Sequence, residues 1–238
     1  VFGSSGRGVK PMDIKICDDE GKEVPKGTRG EIVIRGENVM AGYWKNPEAT
    51  ANTIIDGWLH TGDMGYMLDD TYLYVTGRFK SLLISPDGEK YSPEGFEDSI
   101  TDSSKYVDNC ILYNDMKPYT IALVVPNKDA LKEYVKKTDP TAEPGSEKAA
   151  RIALDKIQAE VDSYKTGGAH GGMFPDRWLP SAIVVLPEPF TEKHGLVNST
   201  MKVVRGKVEK HYADRIVYAY TPEGKDLYNQ KNIDSILN

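Results

Sequence analysis

The sequence predicts an α+β fold in which a β-rich first part is followed by a part that mixes strands and helices. Residues 1–78 hold short runs of alternating polar and apolar side chains between glycines, a pattern typical of half-buried strands. From Phe79 onward, apolar strand-like runs alternate with amphipathic helical segments. The chain of 238 residues is 39% hydrophobic and 28% charged, which indicates a globular protein with a substantial core.

The β-rich part contains several short strands and one helix. Asn46 is a good helix N-cap and Pro47 suits the first helical position, where its missing N–H costs nothing. We expect this helix to end at Gly57. The predicted strands are 13–17, 30–36 and 72–76, the last closed by Gly77.

The mixed part contains short apolar strands separated by turns and helices. Helices are predicted after Ser92-Pro93 and after Asn127, and a last one near Lys202. The clearest helix runs from Glu147 to Tyr164, because its apolar residues recur at intervals of three and four. The predicted strands are 82–84, 110–113, 120–125 and 182–186.

Composition narrows the class of protein. The net charge of −6 argues against a general nucleic-acid binder. No run of about 18 apolar residues is present, so we expect no transmembrane helix, and no signal-peptide pattern precedes the first strand.

The two cysteines, Cys17 and Cys110, lie far apart without metal-ligand spacing, so we expect reduced, buried thiols and a cytoplasmic protein. Peripheral attachment to a membrane is left open. The sequence begins with Val1 and not with an initiator Met, so we interpret its start as a boundary inside a longer protein.

The first motif that can carry chemistry is His60-Thr61-Gly62-Asp63-Met64-Gly65. Two glycines around an aspartate allow a tight turn and a close backbone approach. A carboxylate fixed there can accept two hydrogen bonds from a diol such as the hydroxyls of a ribose. Taken alone, an aspartate that caps a turn is the commoner case.

The second motif is Gly77-Arg78-Phe79-Lys80, where a strand ends and two cations flank an aromatic ring. Arg78 can contact hydroxyls or a phosphate through two donors. The joint between two strands is also a sensible hinge between domains. A solvated basic pair on a loop is the commoner alternative.

The third motif is a cationic segment near the C-terminus of an otherwise acidic chain. A polar turn, Asn198-Ser199-Thr200, leads into Lys202, and a lysine on such a turn can bring a point charge to a buried anion. Most lysines in such sequences are ordinary surface residues. The cations of the segment are Lys193, Lys202, Arg205, Lys207 and Lys210.

Together, these motifs resemble the superfamily of adenylate-forming enzymes, which includes acyl-CoA synthetases. Residues 57–63 resemble the ribose-binding motif of the family, 72–80 its hinge motif, and 88–94 the loop and helix after the hinge. Around Lys202, the pattern is most similar to that of long-chain fatty acid–CoA ligases. Met201 stands where many relatives carry a glycine.

The resemblance implies two domains. Residues 1–78 would form an antiparallel, barrel-like β subdomain at the C-terminal end of the large adenylation domain. Residues 79–238 would form the mobile C-terminal domain, with a short antiparallel sheet and flanking helices. The implied role of this chain is that of a C-terminal fragment of an ATP-dependent long-chain fatty acid–CoA ligase, inactive by itself.

The resemblance also implies a role for each site residue. Lys202 would be the catalytic lysine, Asp63 and Arg78 would bind the nucleotide, and Ser81 would stand at the hinge, where relatives often carry Asp or Lys. The loop at the thiol tunnel would be Gly88-Glu89-Lys90, and Arg205 would be a candidate phosphate contact.

The implied small molecules are ATP or AMP, coenzyme A, a fatty acid and Mg²⁺. The magnesium ligand, the phosphate loop and the acyl pocket would belong to a preceding N-terminal part of the same protein. Two alternatives remain open, namely a ligase that loads a carrier protein and a non-catalytic binding module that keeps the fold.

Overall fold

The computed structural model describes residues 3–69 and 71–237, so the opening Val1-Phe2 dipeptide lies outside the described residues. The chain forms two compact units, Val1–Leu82 and Leu83–Asn238. Each unit has its own sheet. That these units are the two domains expected for a ligase stays a proposal.

The first unit is a curled, five-stranded antiparallel sheet that forms half of a barrel. The strand order is β1-β2-β4-β3, and β5 pairs with β4 beyond the short β3. One helix, α1 (Pro47–Thr53), precedes β3. The strands are β1 (Asp13–Cys17), β2 (Gly30–Arg35), β3 (Ile54–Ile55), β4 (Trp58–Leu68) and β5 (Tyr72–Arg78).

Helix α1 begins as the sequence predicts and ends earlier. The Asn46 side chain accepts a hydrogen bond from the Ala49 N–H at 3.0 Å, and Pro47 occupies the first turn. The helix stops at Thr53, because the β-branched pair Ile54-Ile55 pairs with β4 instead. The expected stop at Gly57 is therefore wrong. Asp56 and Gly57 both have positive φ and form the two-residue turn of the β3–β4 hairpin.

The second unit contains two small sheets and seven α-helices within residues 83–237. Its strands are β6 (Leu83–Ile84), β7 (Lys90–Tyr91), β8 (Val107–Tyr113), β9 (Ile121–Pro126) and β10 (Ala182–Val185). Its helices are α2 (Glu94–Ser103), α3 (Lys128–Thr138), α4 (Glu147–Asp162), α5 (Arg205–His211), α6 (Ala213–Ala219), α7 (Pro222–Lys225) and α8 (Gln230–Leu237).

The central sheet of this unit has the order β10-β9-β8 and is covered on both faces. Helices α2, α3, α4 and α8 pack on one face, and α5 and α6 pack on the other. The α+β class is confirmed, and the sheet is mixed, because β10 pairs with β9 in parallel. A parallel neighbour requires a crossover connection, which α3 and α4 provide.

The free edge of β10 is closed by a side chain from α8. Asn232 is 1% exposed, accepts the Val185 N–H at 2.9 Å and donates to the Ile183 carbonyl at 2.9 Å. Its amide thus takes the place of another strand at this edge.

The end of the chain differs from the single last helix expected near Lys202. Four helices, α5 to α8, follow one another within residues 205–237, and the first begins at Arg205. Lys202 itself lies in a turn, between Val197 and Val203, which form a β-bridge. The local hydrogen bonds of Asn198 favour this turn over a helix.

Both thiols lie in the core of their units. Cys17 is 1% exposed and Cys110 is 3% exposed, and neither forms a disulfide. Burial raises the pKa of each thiol, most strongly for Cys110. Among the helices within residues 3–69 and 71–237, none combines the length and the apolar character that a membrane crossing requires.

Candidate functional site

Asp63 and Arg78 are partners across the β4–β5 ladder of the first unit. The Asp63 Oδ1 atom lies 3.4 Å from Arg78 Nε, and the two side chains are 40% and 69% exposed. The tight turn expected around Asp63 is wrong, because residues 58–68 form one continuous strand. Its register against β2 shifts beside Asp63, and Gly62 takes a positive φ of 73° there. A bulge of this kind redirects a side chain, as a turn would.

Side chains from β2 and β4 fix this bulge. The Glu31 carboxylate accepts the Gly62 N–H at 3.0 Å and lies 2.7 Å from His60 Nδ1. Thr61 donates its hydroxyl to the Ile32 carbonyl at 2.6 Å and accepts the N–H of Asp63 at 3.0 Å. The backbone of Asp63 is therefore held before any ligand arrives. Sequence reasoning missed Glu31, whose role depends on the pairing of β2 with β4.

The predicted hinge residue, Ser81, ends a short 3₁₀ turn, Phe79–Ser81, directly after β5. This turn lies next to the boundary between the two units at Leu82 and Leu83. The chain passes from β5 through this single turn into β6, and the Leu82 N–H donates to the Phe79 carbonyl at 3.4 Å. The hinge role of Ser81 stays a prediction.

The loop predicted for the thiol tunnel connects β6 to β7. The Gly88 N–H donates to the Ser85 carbonyl at 2.9 Å, and Gly88 has a positive φ of 84°. The Asp87 carboxylate accepts the Glu89 N–H at 3.2 Å and the Ser85 hydroxyl. These bonds make a compact hairpin in which Lys90 is the first residue of β7.

Arg177, which sequence reasoning missed, pins this hairpin. Its Nε and Nη2 atoms donate to the two carboxylate oxygens of Glu89 at 2.7 and 2.6 Å. These hydrogen bonds from Arg177 lower the pKa of Glu89, and the Ser85 hydroxyl lowers the pKa of Asp87. Glu89 and Arg177 are 88 residues apart in the sequence, so no pattern in the neighbouring sequence predicts this contact.

Lys202 lies on a turn that one asparagine holds together. The Asn198 carboxamide oxygen accepts the N–H groups of Thr200 and Lys202 at 3.0 and 2.9 Å. The Asn198 N–H donates in turn to the Lys202 carbonyl at 2.9 Å. The Lys202 side chain is exposed, and its ammonium has no ion-pair partner among residues 3–69 and 71–237.

Arg205, the candidate phosphate contact, is paired inside its own unit. Its Nη2 atom lies 2.6 and 2.7 Å from the Glu97 oxygens, and its Nη1 atom donates to the Leu112 carbonyl at 2.8 Å. The Glu97 carboxylate also accepts the Leu112 N–H at 2.6 Å. Burial raises the pKa of Glu97, and the Arg205 guanidinium opposes that rise. The phosphate contact stays a prediction.

Two of these residues, one in each unit, present groups of the kind that bind nucleotides. Asp63 offers a half-exposed carboxylate on a fixed backbone, which suits the two donors of a diol. Lys202 offers an exposed ammonium on a fixed turn, which suits an anionic oxygen. In the described part of the chain, no three His, Cys, Asp or Glu side chains cluster as a metal site would require. A magnesium ion bound elsewhere in the protein stays a prediction.

Two family models match this chain. Residues 1–44 match the AMP-binding enzyme family, and residues 80–165 match the C-terminal domain of AMP-binding enzymes. A long-chain-fatty-acid–CoA ligase of Mycobacterium tuberculosis is 28% identical over 227 residues, which cover 93% of this chain and 34% of that protein. The chain spans about a third of the length of the curated relatives it matches.

Two solved structures show the same fold. The adenylation domain of a carboxylate reductase from Mycobacterium chelonae is 27% identical with a TM-score of 0.68, over 87% of this chain and 31% of that one. The O-succinylbenzoate coenzyme A synthetase of Bacillus subtilis in complex with AMP is 25% identical with a TM-score of 0.58, over 88% of this chain and 36% of that one. With both family models placed in order along the sequence, the chain belongs to the AMP-binding enzyme superfamily.

Proposed function

We propose that the protein to which this chain belongs is an ATP-dependent long-chain fatty acid–CoA ligase, and that the chain supplies its Asp63, Arg78, Ser81 and Lys202. The observation that carries this proposal is the Asp63 carboxylate, half-exposed beside Arg78 on a backbone fixed by the bulge. The similarity of the chain to a long-chain-fatty-acid–CoA ligase supports a fatty acid as the substrate class.

The proposed reaction has two steps. A carboxylate oxygen of the fatty acid attacks the α-phosphorus of ATP, and pyrophosphate leaves as the acyl-adenylate forms. The coenzyme A thiol then loses its proton to solvent as its sulfur attacks the acyl carbon, and AMP leaves as the thioester forms. In the first step, two anionic groups approach one another, so a cation between them lowers the barrier.

The residues of this chain have distinct parts in that scheme. Asp63 accepts hydrogen bonds from the ribose hydroxyls, and Arg78 fixes the nucleotide through its remaining donors. Lys202 neutralises charge between the α-phosphate and the fatty carboxylate. Rotation about Ser81 then removes Lys202 and brings the Gly88 hairpin to the thiol, a hinge motion of the kind that alternates active sites.

The test uses the whole protein with Lys202→Ala, and Lys207→Ala as a matched control on α5. We expect Lys202→Ala to slow ATP–pyrophosphate exchange by about 100-fold or more, the usual effect of losing one such charge contact. Thioester formation from supplied acyl-adenylate is expected to continue, and Lys207→Ala is expected to leave both steps unchanged. Equal exchange rates for wild type and Lys202→Ala would refute the catalytic role of Lys202, whereas no exchange by the wild-type protein would favour a non-catalytic binding module.

A second candidate is a ligase that transfers the acyl group to a carrier protein. The similarity to the adenylation domain of a carboxylate reductase favours it. Supplying the whole protein with coenzyme A or with a phosphopantetheinyl carrier protein separates the two. We also expect the 238-residue chain alone to show no pyrophosphate exchange, and turnover by it would contradict that expectation.

A further inference from the structure

The second unit contains an apolar cleft that none of the proposed catalytic residues line. The cleft has a volume of about 490 Å³ and lies between α3, the segment 139–146, the start of α4 and the end of α8. This volume is within the range of about 300–1,000 Å³ that is typical of small-molecule sites. The cleft is therefore large enough for a ligand with a short aliphatic chain.

Small side chains make the floor of the cleft. Ala142 and Ala149 are each 8% exposed, and Ala150 and Ala153 lie deeper at 0% and 2%. Leu131, at 2% exposure, closes the floor from α3. Above these buried residues, the accessible apolar lining comes from Pro140, Pro144, Ile236 and Leu237, so the cleft offers an aliphatic chain an apolar surface to cover.

Lysines line the rim of the same cleft. Lys128, Lys132 and Lys136 are spaced by four residues on α3, so they lie along one face of the helix. Glu133 is the one acidic residue in the described lining. The rim is therefore cationic, although the whole chain carries a net charge of −6.

The acidic neighbours of Lys128 and Lys132 are the exposed carboxylates of Glu188 and Asp129, whose attraction solvent screens. Lys132 has a 3.4 Å contact with the largely exposed carboxylate of Asp129, and Lys128 donates to the Pro187 carbonyl at 2.8 Å. Burial and the neighbouring Lys132 lower the pKa of Lys128. An anion placed between the lysines would relieve their mutual repulsion and gain charge-assisted hydrogen bonds.

We propose that this cleft binds a soluble, single-chain anionic amphiphile, with its aliphatic chain against the apolar lining and its carboxylate between Lys132 and Lys136. The charge of the rim and the apolar floor are complementary to the two halves of such a molecule. The ligand that we propose is a monomeric fatty carboxylate, and the alternative is the surface of an anionic membrane. The proposal does not depend on the ligase activity, because the chain itself can be tested without ATP.

The test is calorimetric titration of the 238-residue chain with decanoate below its micelle concentration. We expect saturable binding with one molecule per chain. Lys132→Glu combined with Lys136→Glu is expected to weaken it about tenfold or more, as reversal of two facing charges would. Lys137→Glu, an exposed position on α3 that does not line the cleft, is the matched control and is expected to bind like wild type.

Two further arms separate the floor from the rim. Decanol has the same chain without the charge and is expected to bind about tenfold more weakly than decanoate. Ala149→Leu fills the floor and is expected to abolish decanoate binding, while an unchanged melting temperature shows that the unit still folds. Absence of saturable binding, equal binding by the charge-reversed variant, or binding only to phosphatidylglycerol vesicles would overturn the proposal.

Discussion

Each unit contains a carboxylate–guanidinium pair, and the two pairs differ in burial and geometry. In the first unit, Asp63 and Arg78 approach to 3.4 Å while 40% and 69% exposed. In the second unit, Glu97 and Arg205 approach to 2.6 Å while 10% and 18% exposed, and both make further bonds to the Leu112 backbone. The first pair has free donors and acceptors facing solvent, whereas the second has used most of them within the fold.

This difference indicates what each pair can do. An exposed ion pair stabilises a protein by about 0–1 kcal/mol, so selection for stability alone explains little of the Asp63–Arg78 arrangement. A buried pair is costly to break, because the remaining charge stays in the core without a partner. The Glu97–Arg205 pair joins α2 to the start of α5, three residues after Lys202. It therefore fixes one end of the turn that presents the lysine.

The largest effect is expected from breaking the buried pair. Arg205→Met removes the guanidinium, leaves Glu97 buried without it and frees the Leu112 carbonyl. We expect the free energy of unfolding to fall by about 3–5 kcal/mol, measured by urea denaturation of the chain. The matching variant in the first unit, Arg78→Ala, serves as the exposed counterpart.

A double variant sharpens this result. Glu97→Leu combined with Arg205→Met replaces both charges by apolar groups, so no unpaired ion remains. We expect it to be more stable than Arg205→Met alone, because the cost of a lone buried charge disappears. Additive losses from the two substitutions would show instead that the pair is not coupled and that the comparison of the two units is wrong.

An intermediate effect is expected for the Glu89–Arg177 pair at the Gly88 hairpin. The pKa values of Glu89 and Asp87 are both lowered in the fold, so the folded hairpin binds fewer protons than the unfolded chain. Its stabilisation is fully present above the unfolded carboxyl pKa values of about 4 and is lost as the pH falls through the lower folded values. We therefore expect the Gly88 amide to exchange faster with solvent below about pH 4 than at pH 6, after correction for intrinsic exchange.

The control for this pH effect is Arg177→Gln, which keeps a polar side chain and removes the charge. We expect its Gly88 amide to exchange faster already at neutral pH and to respond less to acid. Protection that is equal in both proteins at every pH would contradict the pinning of the hairpin by Arg177. Amide exchange followed by NMR is suited to this test because the effect is local.

Local signals in the sequence predicted the elements that depend on neighbouring residues. The side chains of Asn46 and Asn127 each accept the backbone N–H of the residue three positions later and so cap their helices. The spacing of apolar residues in α4 matches the face of this helix that is buried. The sequence predicted that Gly62 needs the conformational freedom of glycine, but placed it in a turn, whereas it lies in a bulge of β4. The bulge arises from the register of β4 against β2, which a single strand cannot reveal.

The contacts that fix the candidate site come from distant parts of the chain. Glu97 and Arg205 are 108 residues apart, and Glu89 and Arg177 are 88 residues apart. The parallel pairing of β10 likewise depends on a crossover and on the Asn232 side chain of α8. Such partners are chosen by packing and desolvation in three dimensions, so residue type and spacing along the chain do not identify them.

The smallest change in stability is expected for the exposed pair. Arg78→Ala removes a guanidinium that is 69% exposed and a single 3.4 Å contact with Asp63. We expect the free energy of unfolding of the chain to change by less than about 1 kcal/mol. Asp63→Asn is expected to change it equally little, because the Asp63 N–H keeps its bond to Thr61.

The same two substitutions are expected to weaken AMP binding by the whole protein, because exposed groups that add little stability remain available to a ligand. Asp63→Asn replaces one acceptor oxygen of the carboxylate by a donor, so we expect about a tenfold loss of AMP affinity, and a smaller loss of affinity for 2′,3′-dideoxy-AMP, which lacks the diol. Titration calorimetry with both nucleotides measures the difference. Equal losses for the two nucleotides would mean that Asp63 does not contact the ribose, and a large loss of stability would mean that this pair, like Glu97–Arg205, belongs to the fold.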